Sequence, residues 1–137
     1  MTTAEVGPSY RVRTEPEARD RRLRGRRYAI PFDTVWTAAA RLVSGGLPHW
    51  ALTWEDDRSG VLEAKVPERI LRPAGIVRVR VFLDDDAQTC VQMSAGPQDG
   101  GRDWGASRRR ILRFFTELDG ALSPRPDQVL DPTPTAR

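Results

Sequence analysis

The sequence predicts an α+β domain in the order β-α-β-β-β-β-α. The expected architecture is a five-stranded, mostly antiparallel sheet with two helices packed on one face, in a helix-grip or TBP-like arrangement. Three observations carry this. Apolar residues recur at helical spacing near 33–44 and again over 103–122. Between them lie four stretches of alternating apolar and polar residues joined by short polar turns, which pair antiparallel. A chain of 137 residues with 39% apolar side chains and no internal repeat supplies one core plus loose ends.

Arg26 to Pro31 reads as a short extended run that Pro31 ends. Asp33 or Thr34 can cap a helix through Ser44, with Val35, Trp36, Ala39, Leu42 and Val43 on one side, and Gly45-Gly46 stops it. Trp50 to Trp54 alternates, which places Trp50, Leu52 and Trp54 on one strand face. Asp57-Arg58-Ser59-Gly60 turns the chain. Val61 to Val66 returns with Leu62, Ala64 and Val66 facing the same way. Pro67 to Gly75 is a longer connection carrying Ile70 and Leu71 outward. Val77, Val79, Val81 and Leu83 then alternate with Arg78 and Arg80, Asp84-Asp85-Asp86-Ala87 turns, and Thr89, Val91 and Met93 form the inner side of the next strand. A polar loop, Gln98 to Arg102, leads to the last helix, whose apolar side holds Trp104, Ile111, Phe115, Leu118 and Leu122. The opposite sheet face carries Glu63, Lys65, Arg78, Arg80, Gln88 and Gln92, a wet face with cross-strand charge pairs.

These elements define one domain over 25–123. Residues 1–24 read as a disordered basic arm and 124–137 as a disordered tail rich in proline. The 22 basic and 19 acidic residues are unevenly placed: residues 1–27 hold eight arginines against four acids, and the remainder is close to neutral. Arg21, Arg22, Arg24, Arg26 and Arg27 could neutralise phosphates of nucleic acid or of a membrane surface. The arm lacks interleaved aromatics for base stacking, so a solvated leader is the preferred reading. No stretch is apolar enough for a membrane span or secretory signal, and the expectation is a soluble, cytoplasmic protein. One cysteine, Cys90, excludes an internal disulfide, and one histidine, His49, leaves no zinc set or nucleophile–base pair. No cofactor is implied.

The best candidate site is the junction holding Gly101, Arg102, Asp103, Ser107, Arg108, Arg109 and Arg110. A glycine-rich loop running into a helix N-terminus favours anions, and arginines in the first turns oppose the helix dipole at a local cost that an anionic partner offsets. The structural alternative is that Asp103 caps the helix and the arginines pair with Asp99, Asp103 or Glu117. Asp84-Asp85-Asp86 reads as a solvated turn rather than a metal cage. Trp36, Trp50, Trp54 and Trp104 fit core packing at least as well as the lining of a cavity.

Asp103-Trp104-Gly105-Ala106-Ser107-Arg108-Arg109-Arg110-Ile111, together with Pro31-Phe32-Asp33-Thr34-Val35-Trp36, resembles the bacterial family known as domain of unknown function 1499. The likeness covers most of 26–122. Ser107 stands where that family has Asn, and Pro97-Gln98-Asp99-Gly100 stands where it has a Ser-Arg-x-Gly run. The resemblance implies domain boundaries and no reaction. The expected function is a non-enzymatic accessory or interaction domain, with a protein or anionic partner at the Arg-rich helix start. The alternative is a small-ligand domain holding a lipid or anionic metabolite between sheet and helices.

Overall fold

In the computed structural model, residues 10–70 and 72–133 are described. Seven strands and two helices follow in the order β1 (Val12–Arg13), β2 (Arg26–Tyr28), α1 (Phe32–Arg41), β3 (Ala51–Asp56), β4 (Val61–Val66), β5 (Gly75–Leu83), β6 (Thr89–Pro97), α2 (Ala106–Leu122) and β7 (Val129–Leu130). The sheet is open and antiparallel, ordered β3-β4-β5-β6-β2-β7, with β1 also on β6.

The four consecutive strands form as their alternation requires. Leu62, Ala64, Val77, Val79, Val81, Val91, Met93 and Ala95 face inward and are buried. Glu63 lies opposite Arg78 on the outer face and pairs with it at 3.5 Å. Both helices cover the inner face, α1 against β5 and α2 against β6, and they touch each other. Phe114, Phe115, Ile111 and Leu118 of α2 meet Val35 and Ala39 of α1 in one core with Tyr28. The Tyr28 hydroxyl donates to Asp119, which also takes two Nε contacts at 3.1 Å and an Nη2 contact at 2.9 Å from Arg26.

Several expectations are corrected. The sheet gains two strands over the expected five, both from segments expected to be disordered. Val12–Arg13 and Arg26–Tyr28 pair one after the other along the same side of β6, in register with Ala95–Ser94 and then Val91–Thr89. Between them the chain bulges out through a short 3₁₀ turn, Arg21–Leu23, and the excursion is closed by Glu15 N donating to Leu23 O at 2.9 Å. Thr14 anchors it: its amide donates to Met93 O at 2.8 Å and its Oγ1 accepts from Met93 N at 2.9 Å. At the other end, the prolines of the tail do not prevent Val129–Leu130 from pairing with β2. Residues 1–9 and 134–137 of the expected arm and tail lie outside the described residues.

The tryptophan assignments change as well. A bulge between Leu52 and Trp54 shifts the register, so Leu52 faces Ala64 inside while Trp54 faces Glu63 outside, 55% exposed. Trp104 precedes α2 in a left-handed conformation and is 67% exposed. Leu83, at the open end of β5, is exposed too. The first helix starts after Pro31 with no side-chain cap from Asp33 or Thr34. It ends in a widened π-type turn, Leu42–Gly46, where Leu47 N reaches Leu42 O.

Candidate functional site

Past the end of the sheet, between the connection that follows β4 and the first turns of α2, lies a cleft of about 380 Å³. Arg69 and Arg72 line it from the connection and Arg109, Arg110 and Arg113 from the helix, with Trp50, Val66 and Ala106 among the apolar lining. The geometry follows from sequence spacing. Arg109, Arg110 and Arg113 stand at i, i+1 and i+4, which puts them on adjoining sides of one helix. Arg69 and Arg72 are held together by reciprocal backbone hydrogen bonds of 2.8 Å each.

Among the described residues no carboxylate lines the cleft. None of the five arginines makes an ion pair with a carboxylate among the described residues. Arg110 is the most constrained. It is 8% exposed, its Nη2 donates to Pro73 O at 2.6 Å, and its Nη1 is buried without an acceptor. Burial draws its pKa down; Asp103 opposes that, and the neighbouring Arg72 and Arg109 add to it. Gly75 makes room for this side chain: a Cβ there would sit 2.0 Å from Arg110 Nη1. A buried cation with an unused donor costs stability unless something supplies the missing acceptor.

The residues singled out from sequence divide into several groups. Only Arg109 and Arg110 reach the cleft. Arg109 Nη2 also donates to Trp104 O at 3.0 Å. Arg108 turns away and pairs with Asp20 of the N-terminal excursion, not with Asp99, Asp103 or Glu117. Arg102 lies over the Trp104 ring at 5.8 Å, and Gly101 N donates to Asp99 at 2.8 Å. Asp103 serves the helix start, as the capping alternative holds: it is buried and accepts from Gly105 N at 3.0 Å and Ser107 N at 3.3 Å. Burial acts to raise its pKa, but hydrogen bonding at the helix start, where Gly105 N and Ser107 N donate, outweighs that and holds it below the ordinary carboxylate value. The Ser107 hydroxyl is fully buried and makes no well-formed hydrogen bond of its own. Gly105 completes the turn at φ 80°, after Trp104 at φ 54°, a backbone that only glycine adopts without strain.

The arm arginines are largely spent inside the fold. Arg22 pairs with Asp20, Arg26 with Asp119, and Arg27 with Asp84 at 2.6 Å and Asp86 at 3.1 Å. Arg24 Nε donates to Ala18 O at 2.7 Å. Arg21 stays exposed. Arg27 thus accounts for part of the acidic turn, and no His/Cys/Asp/Glu group suited to a metal occurs among the described residues. Burial, followed by the Asp84 charge, pushes the Cys90 thiol up to about 11, a value for an unreactive thiol.

Arg69 and Arg72 escape a reading of the sequence because they sit in a segment without periodicity. The available signal is Arg-x-x-Arg between Pro67 and Pro73, two rigid residues flanking two cations. A scan against family models matches none, and a search of curated proteins finds no similar one. No described helix is long and apolar enough to cross a membrane.

Proposed function

We propose that this chain is a non-enzymatic interaction domain that recognises an anionic group in the arginine cleft at the start of α2. The observation that carries the reading is the buried Arg110 with its Nη1 lacking an acceptor, in a cleft lined by four further arginines and, among the described residues, by no carboxylate. Guanidinium groups stay protonated in proteins, so such a set can hold charge and fix geometry but cannot exchange protons as an acid–base pair would. Planar forks from two directions suit the oxygens of a phosphate or carboxylate.

The unmatched family model leaves the likeness to domain of unknown function 1499 resting on its motifs, and the proposal does not depend on it. The second reading, a small ligand between sheet and helices, is supported less well at that place. Trp50 there stacks on Phe114 with ring centroids 6.5 Å apart, and fully buried side chains fill the layer. An anionic metabolite at the cleft retains the useful part of it.

The test is thermal unfolding in sodium phosphate against sodium chloride at matched ionic strength. The proposal expects the melting temperature to rise with phosphate beyond the chloride series, and that increment to vanish in Arg72→Ala with Arg113→Ala. Identical curves in the two salts would remove the cleft from consideration as an anion site.

A further inference from the structure

Resting on that reading, we infer that the cleft is built for a small molecule carrying two or more linked phosphate groups, a diphosphate unit being the minimum. The charge count comes first. Five guanidinium groups line a cleft of about 380 Å³, and the carboxylate whose charge acts on Arg110, Asp103, is itself committed to the amides of Gly105 and Ser107. One carboxylate ligand, or one phosphate held by a pair of forks, would leave most of that charge unopposed. Two joined phosphate groups present enough oxygens for donors arriving from both walls.

The donors are also placed in advance. Arg110 is held by the Pro73 carbonyl and by the space at Gly75, and Arg109 by the Trp104 carbonyl, while the backbones of Arg69 and Arg72 are joined by their mutual pairing. Two donors held on the helix side lower the ordering cost of binding there. The volume lies within the ~300–1,000 Å³ typical of small-molecule sites.

A nucleic acid would need the basic surface to continue as a track. Arg108, Arg26 and Arg27 are each taken by an aspartate, which removes three arginines from such a track. Arg102 and Arg11 beside the start of α2 make no ion pair among the described residues, so a duplex is kept as a competing ligand in the test.

Isothermal titration of the full chain with inorganic pyrophosphate, orthophosphate, acetate and a short DNA duplex, all at one ionic strength, tests this. The expected result is one pyrophosphate per chain, bound about tenfold or more tighter than orthophosphate, with acetate weaker still. Arg72→Ala and Arg113→Ala, both at exposed positions, should each abolish that preference, whereas Arg58→Ala in a distant turn should leave it intact. Equal affinity for orthophosphate and pyrophosphate would overturn the diphosphate inference while leaving the anion site standing. No binding of any anion would overturn both. A duplex that displaces pyrophosphate and binds more tightly would reassign the cleft to nucleic acid and also overturn the inference.

Discussion

Replacing Arg110 with methionine should make the free protein more stable and its anion-bound form less so. In the free protein the guanidinium is 8% exposed, has no carboxylate partner and leaves Nη1 without an acceptor. An unsatisfied buried donor costs about 1–3 kcal/mol. Its one hydrogen bond, to Pro73 O, contributes about 1.5–3 kcal/mol as a bond from a charged group, but water can reach that carbonyl because Pro73 is only half-buried. Methionine keeps the apolar stem in place and removes the repulsion from Arg72 and Arg109. The balance is a gain of about 1 kcal/mol, or roughly 4 °C in Tm for a chain of this size. Pyrophosphate at one hundred times its Kd should stabilise the wild-type protein by about 2.7 kcal/mol and the variant far less, reversing the order. Urea unfolding with and without pyrophosphate at constant ionic strength reads both effects. A variant that loses about 2 kcal/mol without ligand would show that Arg110 holds the fold together; equal gains from pyrophosphate in both proteins would show that it does not hold the anion.

Three further outcomes follow from the same contacts. Gly75→Ala places a Cβ 2.0 Å from Arg110 Nη1, so it should move that guanidinium and weaken pyrophosphate binding several-fold without altering the charge, as titration would show. Tyr28→Phe deletes the buried hydroxyl that donates to Asp119 and should cost about 1.5–3 kcal/mol, seen as a lower urea midpoint at unchanged slope. Asp103 and Asp84 have folded pKa values below the ordinary one. Their contribution is therefore complete above the unfolded value near about 4 and is lost as pH falls through the lower folded value. Tm measured from acid to neutral pH should drop in that acid window, and Asp103→Asn should flatten the drop.

The sequence made the sheet's inner faces legible because period-two alternation ties burial to position, and Leu62, Ala64, Val77, Val79 and Val81 follow it. It misplaced Trp54 because a one-residue bulge reverses which face the following residues occupy, and that insertion depends on the partner strand. The ends escaped for a related reason. Val12–Arg13 and Val129–Leu130 are too short to show a pattern and gain their order from the exposed edges of β6 and β2. The site was half visible. Arg109 and Arg110 lie in one local motif, but Arg69 and Arg72 join them only through the fold, and the burial of Arg110 depends on the absent side chain of Gly75. Sequence also read the arm as a disordered, solvated leader, since partners such as Asp119 and Asp84 lie far along the chain.

The most direct test of the arginine cleft is side-chain NMR of the arginine Nε–H groups during titration with pyrophosphate. The account predicts that Arg69, Arg72, Arg109, Arg110 and Arg113 shift together along one saturating curve, while Arg26 and Arg27, held by their aspartates, stay in place. Shifts confined to Arg21 and Arg22, or spread evenly over all arginines, would contradict it.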